Sequence, residues 1–249
     1  MRTFYFLLMI ICIFLVNIPM STASADVPES QLIQEYDEDL TGDNIKEKII
    51  LKGIPFTENT AYYRDIWIEI TGLHGNEWRV SFEGGYHPSI QFIDLNQDGI
   101  LDIFFESSTE ANGNTKRYRF YTLKNNQVKS IPLPVQYYLK GRFIDHYQVE
   151  IKISPDQQPI IIDLNHQMNQ LQNLNLYDHQ GNILKRKPVM INPISYFEPV
   201  LMSGNKGYGL KSYQQIYGLS YDQPLGTVET LWYYNHDQWI ILRTEWKAK

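Results

Sequence analysis

The sequence contains very little cysteine, since Cys12 is the single one among 249 residues. A lone cysteine forms no intramolecular disulfide and cannot build a cysteine-based zinc site. Familiar catalytic patterns are also missing. The six histidines form no HExxH pair, and there is no GxSxG elbow, GxGxxG loop or P-loop. These absences argue against zinc hydrolases, serine esterases and nucleotide-binding enzymes, and we expect a non-catalytic protein.

Long hydrophobic runs are equally scarce, and the only one lies at the N-terminus. Arg2 is followed by an apolar run that ends near Val16, and Ala23-Ser24-Ala25 supplies small residues after it. About 13 apolar residues are too few for a bilayer span, which needs roughly 20. This pattern predicts a signal peptide over residues 1–25, with an uncleaved anchor as the alternative. We expect a secreted or envelope protein without a stable membrane span after cleavage.

Positive charge is neither abundant nor concentrated in a stripe. Lysine and arginine number 22 against 28 acidic residues, a formal net charge of −6. Nucleic acids require clustered cations against their phosphates, so we expect no nucleic-acid partner. Hydrophobic residues make up 43% of the chain and aromatic residues 14%. This composition is typical of a folded globular protein, and we expect one domain over residues 26–249.

Short segments rich in β-branched and aromatic residues recur along the chain, separated by turn-forming residues. This rhythm predicts an all-β fold. Turns are expected at residues 72–76, at Gly84-Gly85 and in the N-terminal segment 29–36, and one helix near 165–174. The strand windows are 49–51, 65–70, 78–82, 103–105, 117–121, 148–153, 160–162 and 239–242.

A weak internal repeat links two segments, DLTGDNIKEKIIL from Asp39 and DLNQDGILDIFFE from Asp94. A third unit is indicated near Gly141, and a fourth from Pro193 ends in a C-terminal hairpin. Units of about 50 residues with four short strands each are the size of propeller blades. We therefore predict a propeller-like assembly of about four such units, with an irregular β-sandwich as the alternative.

The segment at Asp94 has the spacing of a calcium-binding loop. Oxygen-bearing side chains occupy positions 1, 3, 5 and 9, Gly99 permits a tight turn at position 6, and position 7 offers a main-chain carbonyl. Calcium prefers six to eight hard oxygen ligands, so we predict a structural calcium site here. Its ligands would be Asp94, Asn96, Asp98, Ile100 and Asp102.

The same positions at the first segment are Asp39, Thr41, Asp43 and Glu47. They also present oxygens, and Asn44 replaces the glycine, so a second calcium loop is predicted there. An apolar strand follows each loop, as expected for a strand–loop–strand site rather than an EF-hand.

The second segment resembles the FG-GAP or VCBS-type repeats, in which a D-x-[DN]-x-D-G-x-x-D loop leads into a strand. The first departs from that pattern at Thr41, Asn44 and Glu47. The resemblance implies calcium-bearing propeller blades in an exported or surface protein, similar in size to short forms from Gram-positive spore formers. It implies a surface, envelope or spore-coat component whose partners are cell-wall polysaccharide or other surface proteins.

A second function class stays open, a secreted carbohydrate-binding module or glycan-active hydrolase. A glycosidase needs two carboxyl groups about 5–10 Å apart, and Glu106 with Glu110 or Glu58 with Asp65 are candidates. Aromatic side chains that stack on sugars would come from the pairs Tyr62-Tyr63 and Tyr137-Tyr138 or from residues 232–234. Tryptophans on strands more often fill a core, and we assign them that role.

Overall fold

The computed structural model describes residues 29–113, 115–204 and 206–249. Within them, fifteen strands form three antiparallel sheets, with one short α-helix and two 3-10 helices. The all-β prediction is therefore confirmed. The predicted signal peptide, residues 1–25, lies outside the described residues, and no helix among those described is both long and apolar enough to cross a bilayer.

The first sheet is an antiparallel meander in which neighbouring strands are consecutive in the chain. The two acidic loops predicted to bind calcium connect its first strand to its second and its fourth to its fifth. The seven strands are β1 (Gln31–Glu38), β2 (Glu47–Pro55), β3 (Tyr62–Thr71), β4 (Glu77–Ile93), β5 (Asp102–Ser108), β6 (Lys116–Lys124) and β7 (Gln127–Ile131).

The long strand β4 turns the corner of this sheet. Its first half pairs with β3 and its second half with β5, and the register shifts between Tyr86 and Ser89. Gly84 and Gly85, predicted as a turn, instead lie inside β4. A Cβ at Gly84 would come within 2.6 Å of the Arg64 carbonyl oxygen, and one at Gly85 within 2.7 Å of Ser107 Oγ. These glycines therefore serve close strand approach at a bend.

The bend folds the meander so that its two halves share one core. Phe82 on β4 stacks on Phe105 of β5 with a centroid distance of 3.7 Å, and Tyr36 on β1 meets Phe92 edge-on. The sheets contain seven, three and five strands instead of about four units of four, and the described residues show no closed propeller.

The remaining strands form a three-stranded and a five-stranded sheet. The three-stranded sheet is the second sheet and contains β8 (Lys140–Ile144), β9 (Gln148–Lys152) and β10 (Ile160–Asp163). The five-stranded sheet is the third sheet and contains β11 (Met190–Ile191), β12 (Tyr196–Leu201), β13 (Tyr208–Tyr217), β14 (Pro224–Asn235) and β15 (Gln238–Ala248). The predicted C-terminal hairpin is present as β14–β15, and β8 and β9 form a further hairpin.

The predicted helix is confirmed as a 3-10 turn, Asn165–Gln167, that continues into α1 (Met168–Asn173). The N-terminal segment differs from its prediction, because residues 31–38 form β1 rather than a turn. β1 pairs along its length with β2, so backbone hydrogen bonds stabilise a segment that lacks a continuous apolar face.

A core shared by the first and third sheets joins the N-terminal and C-terminal parts of the chain. Leu95, Phe104 and Phe120 of the N-terminal part pack with Leu210 and Trp232 of the C-terminal part. Trp232 is thus a core residue, as its strand position predicts. Leu95 belongs to the second acidic loop, so this core anchors that loop from within.

Candidate metal site

The first acidic loop, residues 39–47, joins β1 to β2 and is closed by its own carboxylates. Asp39 accepts hydrogen bonds from the amides of Gly42 at 2.7 Å and Asn44 at 2.9 Å. The Glu47 carboxylate accepts the Leu40 amide at 2.7 Å and the Thr41 hydroxyl at 3.1 Å. The Asp39 and Glu47 carboxylates therefore accept hydrogen bonds from within the loop and close the turn.

Three carboxylates converge in this loop. One oxygen each from Asp39, Asp43 and Glu47 lies within 4.8 Å of the other two. Glu47 is buried, Asp39 is half-buried and Asp43 is exposed. Negative charges this close repel one another, and a divalent cation relieves that repulsion. Each oxygen retains lone pairs beyond its hydrogen bond, so the donor set fits calcium.

The second acidic loop, residues 94–102, joins β4 to β5 and repeats these hydrogen bonds at equivalent positions. The Gly99 amide donates to Asp94 and the Ile100 amide to Asp98, each at 3.0 Å. Asp102 accepts the Leu95 amide at 3.0 Å, as Glu47 accepts that of Leu40. The backbone angle φ at position 6 is positive in both loops, 66° at Asn44 and 84° at Gly99.

The second loop differs in what occupies its carboxylates. The Asn96 amide nitrogen donates to Asp102 Oδ1 at 3.0 Å, and Lys124 Nζ lies 3.1 Å from Asp98 Oδ2. Within the described parts of the chain, only the first loop forms a three-carboxylate group. The side chains predicted to bind calcium at Asp94 lie in the second loop. Because Lys124 contacts Asp98 and the Asn96 amide contacts Asp102, these carboxylates fit calcium less well than those of the first loop.

Burial dominates the electrostatics of the second loop. Asp102 is fully buried, and desolvation raises its pKa to about 7 against the opposing effect of the Asn96 and Leu95 amides. The Asp102 carboxylate thus acts as a buried acceptor for the loop backbone. In addition, the Gln97 side-chain amide donates to the Tyr208 carbonyl at 2.7 Å, and this hydrogen bond holds the second loop against β13.

The two loops are neighbours in space. A Cβ at Gly42 would meet Ile100 Cδ1 at 2.9 Å. Ile100 was predicted to contribute its carbonyl at position 7, and the structure places its side chain against the first loop. Lys124, at the end of β6, had no signal in the sequence, because only the fold brings it to Asp98.

The other residues considered in the sequence have structural partners or stand apart. Glu106 lies 2.8 Å from Lys116 Nζ, and Glu110 accepts the Thr115 hydroxyl at 3.3 Å. Tyr137 and Tyr138 are exposed, by 79% and 50%. They line a cleft of about 810 Å³, which also includes Trp239 and Gln157.

Comparisons with known proteins give a family match in the C-terminal part and a relative that covers most of the chain. Residues 137–247 match the family described as the YybI C-terminal domain. The chain is also 24% identical over 212 residues to "Uncharacterized protein YybI" of Bacillus subtilis (strain 168), covering 82% of this chain and 80% of the relative. No solved structure matches. The family match contains β8–β15 and neither acidic loop, so the FG-GAP resemblance stays a prediction.

Proposed function

We propose that the protein is a non-catalytic exported β-protein of the cell surface, envelope or spore coat, stabilised by calcium in its first acidic loop. One observation carries the metal part of the proposal: the convergence of Asp39, Asp43 and Glu47 within 4.8 Å. Thr41 would add a hydroxyl oxygen to this set. The exported location follows from the predicted signal peptide alone.

The ion would have a structural role. Three acidic groups correspond to the weak end of calcium sites, with a Kd of about 10⁻⁴–10⁻³ M, which suits calcium-rich surroundings outside the cell. Glu47 begins β2, and Asp39 directly follows β1 across the loop. A bound ion would therefore hold the ends of two paired strands together and stabilise the folded state over the unfolded state.

Thermal unfolding in calcium and in EGTA tests the metal site. Calcium at about 100 times its Kd stabilises by about 2.7 kcal/mol, which raises the melting temperature of a protein this size by about 5–10 °C. We expect Asp43→Asn to remove most of this rise. The asparagine oxygen still accepts the Ile45 amide, which lies 2.8 Å from Asp43 Oδ1, so the turn keeps its shape.

Asp98→Asn is the matched control, because it removes the same charge from the equivalent position of the second loop. The asparagine can still accept the Ile100 amide. We expect this variant to keep the calcium response. A wild-type melting temperature that is identical in calcium and EGTA would refute the metal site. Fractionation of producing cells into medium, wall and cytosol tests the location, and a purely cytosolic protein would refute export.

The exposed tyrosines favour a second candidate function, binding of a neutral or acidic glycan. Tyr137 and Tyr138 flank the 810 Å³ cleft together with Trp239, and Gln157 contributes a side-chain amide. Aromatic faces with a few polar groups are typical of ligand sites between two parts of a fold. A glycan array tests this with wild type and Tyr137→Ala, and binding that is absent or unaffected by the substitution counts against it.

A further inference from the structure

A group of six cationic residues lies on the three-stranded sheet and the segment beside it. It comprises Lys140, Arg142, Lys152, Lys185, Arg186 and Lys187, here called the basic patch. Arg142 alone has an ion pair, at 3.0 Å to Glu150. The other five have no ion pair, ring contact or side-chain hydrogen bond within the described residues.

The sheet register places part of the patch on one face. Lys140 on β8 is the direct partner of Lys152 on β9, and both are exposed. Side chains of directly opposed residues lie on the same face, with Cβ atoms about 5 Å apart, and like charges there are destabilising. Arg142 lies two residues beyond Lys140 on that face and opposes Glu150.

The segment with the other three cations runs beside β8. The Phe143 amide donates to the Lys187 carbonyl at 3.2 Å, and Arg142 forms an isolated bridge with Pro188. A Cβ at Gly141 would come within 2.4 Å of Val189 Cγ2, so glycine is what allows this approach. The exposed segment 185–187 is thereby held against the sheet.

A recess lies where the segment meets the sheet. It has a volume of about 300 Å³, and the residues that line it include Arg142, Arg186 and Lys187. The acidic group in the lining, Asp145, already accepts the Ile183 amide at 2.8 Å. Cationic residues thus outnumber acidic ones in this lining, in a protein whose net charge is −6.

We propose that the basic patch binds a linear phosphate-bearing polymer, with one phosphate group in the recess and further phosphates over Lys140 and Lys152. Phosphate suits this arrangement because guanidinium and ammonium groups donate charge-assisted hydrogen bonds to its several oxygens. A bound anion also removes the repulsion between the two opposed lysines. The polymer would be an envelope partner for the role proposed above, but binding needs no calcium.

Binding of inorganic polyphosphate, measured by calorimetry at low salt in EGTA, tests the proposal. The variant Lys140→Gln/Lys152→Gln/Lys187→Gln should bind at least tenfold more weakly. The matched control is Lys129→Gln/Lys206→Gln/Lys249→Gln, which removes three cations outside the patch that form no ion pair with another described residue. It should bind within twofold of wild type. Phosphate contacts release counterions, so the patch variant should lose about 2 from the salt-dependence slope.

Several results would overturn the proposal: no binding of polyphosphate, equal losses in both variants, equally tight binding of polyglutamate, or binding of phosphatidylglycerol vesicles without binding of polyphosphate. Lys152→Glu separates binding from folding. It places opposite charges across β8 and β9, so it should raise the melting temperature while weakening polyphosphate binding. A variant that is less stable, or that binds as tightly as wild type, would contradict the assignment. EGTA keeps these outcomes independent of the calcium test.

Discussion

The two acidic loops have nearly the same backbone and differ in what their carboxylates contact. In both, the residue at position 9 accepts the amide of a fully buried leucine, Leu40 or Leu95. In the first loop, three carboxylates lie together, and no cation of the described residues forms an ion pair with them. In the second, Lys124 contacts Asp98 and the Asn96 amide contacts Asp102.

This difference shows that one spacing of oxygen-bearing residues gives the same turn with different contacts to its carboxylates. Backbone amides that donate to side-chain oxygens close the turn in both loops. Whether the remaining lone pairs face a cation then depends on neighbours from distant strands. The second loop is docked on β13 by Gln97 and anchored by Leu95, so protein groups surround it.

Removing the carboxylate at position 9 of each loop should lower the free energy of unfolding more than the other substitutions. Only the variant of the first loop should lose more in calcium than in EGTA. Asp102→Ala leaves the Leu95 and Asn96 amides without their acceptor, and we expect a loss of about 3 kcal/mol in the free energy of unfolding, equal in calcium and EGTA. Glu47→Ala should lose about 2 kcal/mol in EGTA and more in calcium. Urea unfolding in the two buffers measures this.

If Asp102→Ala lost more stability in calcium than in EGTA, the second loop would hold an ion, and the proposed difference between the two loops would be wrong. Asp102→Asn is the conservative control. It keeps an acceptor for the backbone amides, so its loss should be smaller than that of the alanine variant in both buffers.

Alanine substitutions at position 6 of the loops should give the next largest loss in the free energy of unfolding. Gly99 has φ of 84°, and a Cβ there would meet nothing within 4 Å, so Gly99→Ala tests backbone conformation alone. We expect a loss of about 1–2 kcal/mol. Asn44→Ala should lose less, since asparagine already bears part of this strain. Melting temperatures of both variants in EGTA check the order, and a larger loss at Asn44 would contradict the equivalence of the loops.

Much of the fold was predictable from local pattern, and the exceptions have physical causes. Apolar windows such as 103–105 became buried strands because burial is what their composition favours. β1 and β13 were not predicted, since β1 is a largely exposed edge strand and β13 contains lysine, serine and glutamine. β1 is a strand because it pairs with β2, and β13 because it pairs with β12 and β14, and no hydrophobic pattern within either segment shows this pairing. Gly84 and Gly85 indicated a turn, but the fold uses them at a bend.

The residues of both acidic loops were predictable from the sequence, but which loop brings its carboxylates together was not. The sequence placed the full pattern at Asp94 and a weakened pattern at Asp39, whereas the carboxylates converge at Asp39. Thr41 and Glu47, two of the three departures from the FG-GAP pattern, form a hydrogen bond of 3.1 Å within the loop. Lys124 reaches Asp98 through the pairing of β5 and β6, and no local pattern contains that information.

Replacing Lys124 should give the smallest change in stability and the sharpest test of the comparison. Its pair with Asp98 is half-exposed on the lysine side, so Lys124→Gln should change the free energy of unfolding by less than about 1 kcal/mol in EGTA. In calcium, the freed Asp98 carboxylate should allow a second ion, and calorimetry should show the stoichiometry rise from one to two. Lys129→Gln removes the same charge from β7 and should leave one site. If Lys124→Gln also leaves one site, the Asn96 amide and the docking on β13, rather than the lysine, are what exclude an ion from the second loop.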